Sequence, residues 1–250
     1  MSSKKILLVQ ILIVISFILV WELLGKYKII PIFLFSSPSK ILETLIILIQ
    51  DGSLFLHLYT TFLEVLISFL GGILLAFGGA IILYEIPLLF KILEPFFTII
   101  NSMPKVALGP FLIILFGANK VSIIIMAVLI NMIVSLLSIY NALSSCDYAY
   151  IKLLNIFGAT RYQKLVYLVV PQAMKTIISC LKIHISLTFI GVVMGEFLVS
   201  KEGLGYLIIY GMQIFKMNYV ILGIILLVIV SWLMYLLISK ICKKWENKNS

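Results

Sequence analysis

Charged residues are scarce in this chain of 250 residues: Asp, Glu, Lys and Arg make up 12% of the sequence, and apolar residues make up 63%. A soluble domain carries about 25% charged and about 45–50% apolar residues, so the composition excludes a water-soluble globule. Intrinsic disorder is excluded as well, because disorder requires low hydrophobicity and high charge. The composition therefore predicts an integral membrane protein.

Cysteine and catalytic motifs are scarce too. Cys146, Cys180 and Cys242 are widely spaced, so neither a disulfide framework nor a metal site follows from them. The sequence contains no phosphate-binding loop of the form G-x-x-x-x-G-K-S/T and no H-E-x-x-H zinc motif. It also lacks the row of intramembrane carboxylates that a proton-driven pump needs. Any uphill transport would have to draw its energy from a partner.

The net charge of +9 has a topological explanation. Lys and Arg concentrate in the cytoplasmic loops of membrane proteins, so the excess indicates orientation and not nucleic-acid binding. With the N-terminus inside, more of these residues fall in inner segments than in outer ones. The N-terminal apolar run imitates a signal peptide, but it has no small-x-small cleavage site. We predict a multi-pass protein of the plasma (cell inner) membrane with both termini in the cytoplasm.

Long charge-free stretches predict the transmembrane helices, since a helix needs about 20 apolar residues to cross a bilayer. The predicted fold class is an all-α integral membrane protein with about six transmembrane helices in a single domain, residues 1–250. The predicted spans cover residues 6–24, 61–83, 95–116, 121–143, 173–200 and 219–241. A short helix at Ser39–Ile49, N-capped by Ser39, is predicted in the connection between the first two spans.

The third predicted span is interrupted by Pro104, Lys105, Gly109 and Pro110. Broken backbone at membrane depth is tolerated where it lines a cavity, so the break is a candidate part of a translocation path. A simple packing kink is the alternative. Lys105 could attract an anion at this break, or its ammonium could extend to the inner interface.

Two polar residues inside other spans are further path candidates. Asn131 is predicted to hydrogen-bond to another helix. Glu196 is an intramembrane carboxylate, a residue type that is expensive in lipid and therefore a functional candidate. The alternative for Glu196 is an interfacial anchor for the turn at Gly203. His184 is interpreted as a packing residue.

The connection 144–171 contains a predicted helix outside the membrane. Asp147 and the residues before it form a helix-start signal. An amphipathic helix of about three turns follows over Tyr148–Phe157, and Gly158 interrupts it. From the pattern alone, this helix could pack on its own bundle, lie in the lipid headgroups, or bind a partner.

The same connection resembles the EAA loop of ABC importer permeases. The segment LNIFGATRYQ at 154–163 is similar to the Gly-Ala-Ser/Thr-Arg/Lys segment of that family, in which a proline follows thirteen residues after the glycine, as Pro171 follows Gly158. PKVA at 104–107 with Pro110, and GLGYLI at 203–208 after Glu196, resemble the branch that serves nitrate, sulfonate and taurine importers. The sequence departs from the family pattern at Lys152, where the family has Glu, and at Lys175, where it has a second Pro.

The resemblance implies a type I ABC importer permease bundle with a cytoplasmic coupling helix that docks on an ATPase. Its ATPase-coupling residues would be Asp147, Lys152, Asn155, Gly158, Ala159, Arg161 and Pro171. The implied partners are a dimer of cytoplasmic ATPase subunits holding ATP and Mg²⁺, a second permease copy, an extracytoplasmic substrate-binding protein and the lipid bilayer. The chain itself would bind no cofactor, metal or nucleic acid and would not be an enzyme. The implied solute is small: nitrate, a sulfonate, taurine or a thiamine-pyrimidine precursor.

Two other classes of membrane protein fit the sequence less well. A stand-alone secondary carrier or channel would need its own ion-coupling residues inside the spans, and few are present. A membrane-embedded enzyme would need catalytic groups that converge at one interface. The two His and ten acidic residues of the chain, most of the acids in connections, make that arrangement a poor fit.

Overall fold

The computed structural model describes residues 3–248, so the first two and last two residues of the predicted 1–250 domain lie outside it. The described residues form helices and turns without a β-strand. In chain order the helices are α1 (Ser3–Lys26), α2 (Ile32–Phe35), α3 (Pro38–Gln50), α4 (Ser53–Glu85), α5 (Pro87–Ser102), α6 (Gly109–Phe116), α7 (Lys120–Ser144), α8 (Tyr148–Ile156), α9 (Arg161–Lys164), α10 (Val170–Val199), α11 (Leu204–Gln213) and α12 (Met217–Lys248). A 3₁₀ turn at Lys105–Leu108 precedes α6, and a π turn at Leu165–Val169 joins α9 to α10.

Five of these helical segments are long and apolar enough to cross a membrane. They are 5–26, Ser53–Glu85, Lys120–Ser144, Arg161–Val199 and Met217–Trp245. A sixth span results if α5 and the segment Lys105–Phe116, which are bent by 90° relative to each other, are counted as one broken span. The predicted all-α fold with about six spans is confirmed.

The helical run that contains the fifth span begins earlier than the sequence predicted. Helical structure is continuous from Arg161 to Val199, whereas the prediction placed a connection up to Pro171. Pro171 has no N–H to complete the regular pattern. The chain accommodates it with a wider π turn, in which the Val170 N–H donates to the Leu165 carbonyl. Pro171 therefore lies within the helical run and does not mark its start.

The segments around α3 and α11 also differ from prediction. α3 is present, but its N-cap is Ser37 and not Ser39, because Pro38 occupies the first helical turn, where its missing N–H costs nothing. α11 was not predicted. It begins after Gly203, whose φ of +105° lets the chain turn sharply into the helix.

The described chain divides into two compact units. One consists of the residues up to Thr60 together with Lys201–Val228, and its core contains Ile41, Leu48, Leu54, Leu207 and Leu222. The other contains Thr61–Ser200 and the chain from Ile229 onward. Within this second unit α7 packs along α10.

Two glycines on α10 allow the close approach to α7. A Cβ atom at Gly191 would lie 2.6 Å from the Cα of Ala127, and one at Gly195 would lie 3.1 Å from the Cα of Ile123. Backbone atoms on the facing helix cannot move aside as a flexible side chain can, so the absence of a Cβ sets the helix spacing. Both glycines therefore lie against α7 of the same chain.

We expect Gly191→Ala to destabilise the protein by about 1–3 kcal/mol, because the added methyl forces α7 and α10 apart. Gly78→Ala is the matched control, since a Cβ at Gly78 meets no atom within 4 Å. Thermal unfolding of both variants in the same detergent measures the difference. An equal melting temperature for the two variants would contradict the packing argument.

Candidate functional site

Asp147 starts α8 as the sequence predicts. Its carboxylate accepts a hydrogen bond of 2.8 Å from the Ala149 N–H. This contact satisfies one of the free N–H groups that every helix N-terminus leaves unpaired. The short helix therefore has a defined first turn even though none of its residues is buried.

Gly158 ends α8 in the left-handed region, with φ +75°. The Gly158 N–H donates to the Asn155 carbonyl and the Ala159 N–H donates to the Leu154 carbonyl, each at 3.0 Å. Glycine is favoured at such a helix end because it adopts positive φ without a Cβ penalty. A Cβ at this position would meet no atom within 4 Å, so the requirement for glycine comes from the backbone alone.

The chain after Gly158 is fixed by a capping box. The Gln163 N–H donates to Thr160 Oγ1 at 3.2 Å, and the Thr160 N–H donates to Gln163 Oε1 at 2.8 Å. Across the turn, Lys164 Nζ donates to Asn155 Oδ1 at 2.7 Å. This charge-assisted bond ties the end of α8 to α9. We call the segment from Asp147 to Lys164 the coupling segment.

The outer face of the coupling segment is apolar and exposed. Ile156 and Phe157 are 74% and 77% exposed, and Tyr148, Tyr150 and Leu153 are also open to solvent. The opposite side is half-buried at Ile151 and Leu154. Phe157 follows the last residue of α8, and its side chain lies among the exposed ones. A contiguous exposed apolar patch of this kind is typical of an interaction site.

The structure brings most of the predicted coupling residues into this segment. The exposed residues among them are Asp147, Lys152, Asn155, Gly158 and Arg161, and Ala159 is half-buried. Pro171 is exposed but lies farther along the helical run, in the first turn of α10. Sequence reasoning missed Thr160, Gln163 and Lys164 as positioning residues. The S/T-x-x-Q spacing of a capping box was the available signal for the first two.

A basic depression lies beside the coupling segment. Its volume is about 330 Å³, and Arg161, Lys164, Tyr84 and Glu85 are among the residues that line it. Nearby, the Cys146 thiol donates to Gln172 Oε1 at 2.9 Å, and partial burial raises the pKa of this thiol above its usual value. A raised pKa keeps the thiol protonated, so Cys146 is a packing residue here and not a reactive thiolate.

The predicted break in the third span is present. Pro104, with φ −69° and ψ +89°, separates α5 from the 3₁₀ turn and α6. Lys105 Nζ donates to the carbonyl oxygen and to Oδ1 of Asn101, at 3.0 and 3.3 Å. The ammonium therefore binds the polar groups at the end of α5. Pro104 and Pro110 are exposed.

Asn131 and Glu196 lie elsewhere, in the packed interior of the second unit. Asn131 Oδ1 accepts from Ser135 Oγ at 2.7 Å within α7 itself, and in the described part of the chain Asn131 Nδ2 has no hydrogen-bond partner. The prediction that Asn131 hydrogen-bonds to another helix is wrong, because the side chain packs against Gly72 of α4, which offers no polar side chain. Among the five predicted path residues, Asn131 and Glu196 are buried, whereas Pro104 and Pro110 are exposed.

Glu196 is 1% exposed and is held by a neighbouring helix. Thr61 Oγ1 donates to Glu196 Oε1 at 2.6 Å, which links α4 to α10. Glu64, one turn along α4 from Thr61, is also buried, at 2% exposed. Sequence reasoning missed Glu64, although an acidic residue inside a predicted apolar span was a visible signal. In the other unit, the Gly203 N–H donates to His57 Nδ1 at 3.0 Å.

We expect Thr61→Val to destabilise the protein by at least about 1.5 kcal/mol, because the isosteric change removes a donor from a buried carboxylate. Thr98→Val is the matched control, since Thr98 is exposed and its hydroxyl donates only to the Glu94 carbonyl of its own helix. Thermal unfolding of the two purified variants is the measurement. A stable Thr61→Val protein would show that the hydroxyl is dispensable for holding Glu196.

The fold and the coupling segment together define a class. A bundle of five or six apolar spans that carries a capped, exposed amphipathic helix between two of them is a multi-pass membrane protein. A protein family described as "Binding-protein-dependent transport system inner membrane component" matches residues 68–244. The chain belongs to this family and is a permease subunit of a binding-protein-dependent ABC importer, as the sequence resemblance implied.

Relatives that are named as permeases agree with this assignment. The chain is 28% identical over 229 residues to a "Probable ABC transporter permease protein" of Haemophilus influenzae, covering 92% of this chain and 93% of the relative. It is 24% identical to the "Putative aliphatic sulfonates transport permease protein SsuC" of Bacillus subtilis, covering 92% and 84%. It is also 24% identical to the "Taurine transport system permease protein TauC" of Escherichia coli, covering 86% and 80%. These names confirm the predicted nitrate/sulfonate/taurine type of permease.

A solved structure shares the fold. An inward-facing form of the MetNI methionine ABC transporter aligns with a TM-score of 0.66 and 19% sequence identity, covering 75% of this chain and 94% of that chain. At this level of identity the likeness concerns the fold alone. It is the fold expected for a permease of the predicted type I class.

Proposed function

We propose that the coupling segment is the docking element for a cytoplasmic ATPase. The observation that carries the proposal is the apolar outer face of α8, with Ile156 and Phe157 exposed at its end. An amphipathic helix that offers such a face fits a groove on a partner protein. Full burial of each of these two side chains is worth about 1.5–3 kcal/mol.

The rigidity of the segment supports the same role. Asp147 caps α8, Gly158 turns the chain, and the Lys164–Asn155 hydrogen bond spans the turn. A helix that is held in this way transmits a push or pull from its partner to the helical run that follows it without first bending. ATP-driven closure of two ATPase subunits would thereby move α10.

The proposed topology places both termini and the coupling segment in the cytoplasm of the cell that makes the protein, with the chain as a single transmembrane permease domain in the plasma membrane. The charges support it, because Lys152, Arg161, Lys164 and Lys175 cluster in and beside the coupling segment. α3 and the turn between α11 and α12 then lie on the extracytoplasmic side.

The assembly we propose contains two copies of this chain, two ATPase subunits and an extracytoplasmic binding protein. ATP and Mg²⁺ would be held by the ATPase, since the sequence contains no G-x-x-x-x-G-K-S/T loop. The transported solute would be a small one, such as nitrate, a sulfonate, taurine or a thiamine-pyrimidine precursor. The names of the sulfonate, taurine and formylaminopyrimidine permeases among its relatives support this range.

Reconstitution tests the proposal. The permease is placed in liposomes with and without its ATPase. The binding protein is added on the extracytoplasmic side and ATP on the cytoplasmic side, and uptake of labelled taurine and of an alkanesulfonate is followed. We expect uptake only when ATPase, ATP and binding protein are all present. Uptake by the permease alone would instead identify a secondary carrier or channel. A thermal-shift ligand screen on the binding protein then narrows the solute.

A further inference from the structure

A second concave surface lies in the first unit, between the start of α3 and the turn that joins α11 to α12. Its volume is about 480 Å³. We call it the α3 pocket, and its polar wall contains Ser36, Lys40, Glu43, Lys216 and Asn218. None of these residues belongs to the coupling segment or to the predicted path.

Two residues with strained backbone conformations line the α3 pocket. Ser36 has φ +53° and Phe215 has φ +55°, and both residues line the pocket. Among the described non-glycine residues, only Lys28 shares this left-handed conformation. Side chains rarely adopt such φ values, and strain of this kind concentrates at ligand sites, where the surrounding structure enforces it.

The Ser36 hydroxyl is buried without a partner. Ser36 is 1% exposed, and within residues 3–248 its Oγ has no hydrogen-bond partner. Leaving a buried hydroxyl unpaired costs about 1–3 kcal/mol. A ligand with a hydrogen-bonding head group in the pocket would satisfy it.

The pocket wall combines positive charge with an aromatic surface. Lys40 and Lys216 contribute two ammonium groups against the single carboxylate of Glu43. The rings of Phe33 and Phe215 stack with centroids 6.1 Å apart, which adds an apolar surface to the same wall. This combination suits an oxyanion with a short apolar tail.

The wall is preformed. Asn218 Nδ2 donates to Thr44 Oγ1 at 2.5 Å, which ties the start of α12 to α3. Lys216 Nζ lies 5.9 Å from the centre of the Tyr219 ring, a cation–π distance. Both sides of the pocket are therefore held in place without a ligand, which lowers the ordering cost of binding.

We propose that the α3 pocket binds a small organic anion, a sulfonate or carboxylate with a short apolar tail, on the extracytoplasmic face of the permease. Its location on that face rests on the topology proposed above. The anionic head would accept hydrogen bonds from Lys40, Lys216 and the Ser36 hydroxyl. The tail would lie against the Phe33 and Phe215 rings. The permease would then have its own site for the solute in addition to the external binding protein.

Binding is measured on the full chain alone, in nanodiscs of phosphatidylcholine, with 4,4,4-trifluorobutane-1-sulfonate as the probe and its ¹⁹F line width as the signal. Because no ATPase or transport step is involved, the result is independent of whether the coupling segment docks as proposed. We expect line broadening by the wild-type chain and a loss of affinity of about tenfold or more in Lys40→Met/Lys216→Met. Lys26→Met/Lys28→Met, a pair outside the pocket, is the charge-matched control and is expected to bind as the wild type does.

Two further variants separate binding from folding. Ser36→Gly tolerates the positive φ but lacks the hydroxyl, so we expect weaker binding with no loss of thermal stability. Glu43→Gln removes the opposing charge, and we expect it to bind the probe more tightly. A misfolded protein cannot bind the probe more tightly. The proposal would be overturned if Glu43→Gln bound the probe no more tightly than the wild type and the double lysine variant bound it equally well.

A phosphate headgroup of a membrane lipid offers similar oxyanion chemistry. Nanodiscs that contain phosphatidylglycerol distinguish this source through ³¹P line widths. If the sulfonate fails to bind in phosphatidylcholine discs and the lipid phosphorus signal instead broadens in a manner that requires Lys40 and Lys216, the occupant is a lipid and the assignment to a small solute is wrong.

Discussion

Replacing Ile156 and Phe157 together by serine is expected to abolish co-purification of the permease with its ATPase and to leave the permease itself folded. Both side chains are largely exposed in this chain, so its own stability owes little to them. In the proposed complex they fill a groove, and losing two such anchors weakens binding by about a hundredfold or more. The apolar face of α8, and not its charges, would supply the affinity.

The measurement is the amount of ATPase that tagged permease retains in a pull-down. Thermal unfolding of each variant is measured beside it to show that the permease is folded. Leu88→Ser is the control, since Leu88 is 69% exposed on α5 and lies outside the coupling segment. If the double variant retains the ATPase at the wild-type level, the outer face of α8 is not the docking surface.

Gly158→Val is expected to lower permease-stimulated ATP hydrolysis to near the level of the isolated ATPase. The residue has φ +75°, where a side chain costs about 1–2 kcal/mol and a β-branched one costs more. The chain relieves this strain by changing its direction after α8, and the Lys164–Asn155 hydrogen bond that spans the turn is then lost. The helix would remain but would no longer be held rigidly against α9.

Gly52→Val separates backbone strain from loss of coupling. Gly52 has φ +77°, and a Cβ there meets no atom within 4 Å, as at Gly158. Both substitutions therefore introduce the same strain, but Gly52 connects α3 to α4 and is not part of the coupling segment. We expect Gly52→Val to keep ATPase stimulation, and an equal loss in both variants would show that general destabilisation is the cause.

Features that depend on neighbours in sequence could be predicted. The long apolar runs predict the spans because the bilayer thickness sets the length of a crossing helix. Asp147, Gly158 and Pro104 act within one or two turns of their own position, so the start of α8, its end and the break before α6 follow from local chemistry. The resemblance to ABC importer permeases rests on motifs in the same segments, and the family match confirms this resemblance.

Other features required the packed structure. Span lengths alone did not show that Pro171 lies inside a continuous helical run, because the π turn before it redistributes hydrogen bonds that the sequence pattern does not display. The sequence also suggested a polar partner on another helix for Asn131, but the facing residue is Gly72, and only the packing of α4 on α7 reveals that.

By itself, the scarcity of charge determined that this chain is a membrane protein of about six spans, and local motifs determined where α8 begins and ends. Only the tertiary structure decided that Phe157 is exposed, that Thr61 holds Glu196, and that Ser36 meets Lys216 in one pocket. The physical reason is that a helix cap or break involves residues within a few positions of each other. Burial and the convergence of side chains depend instead on which faces of distant helices pack together.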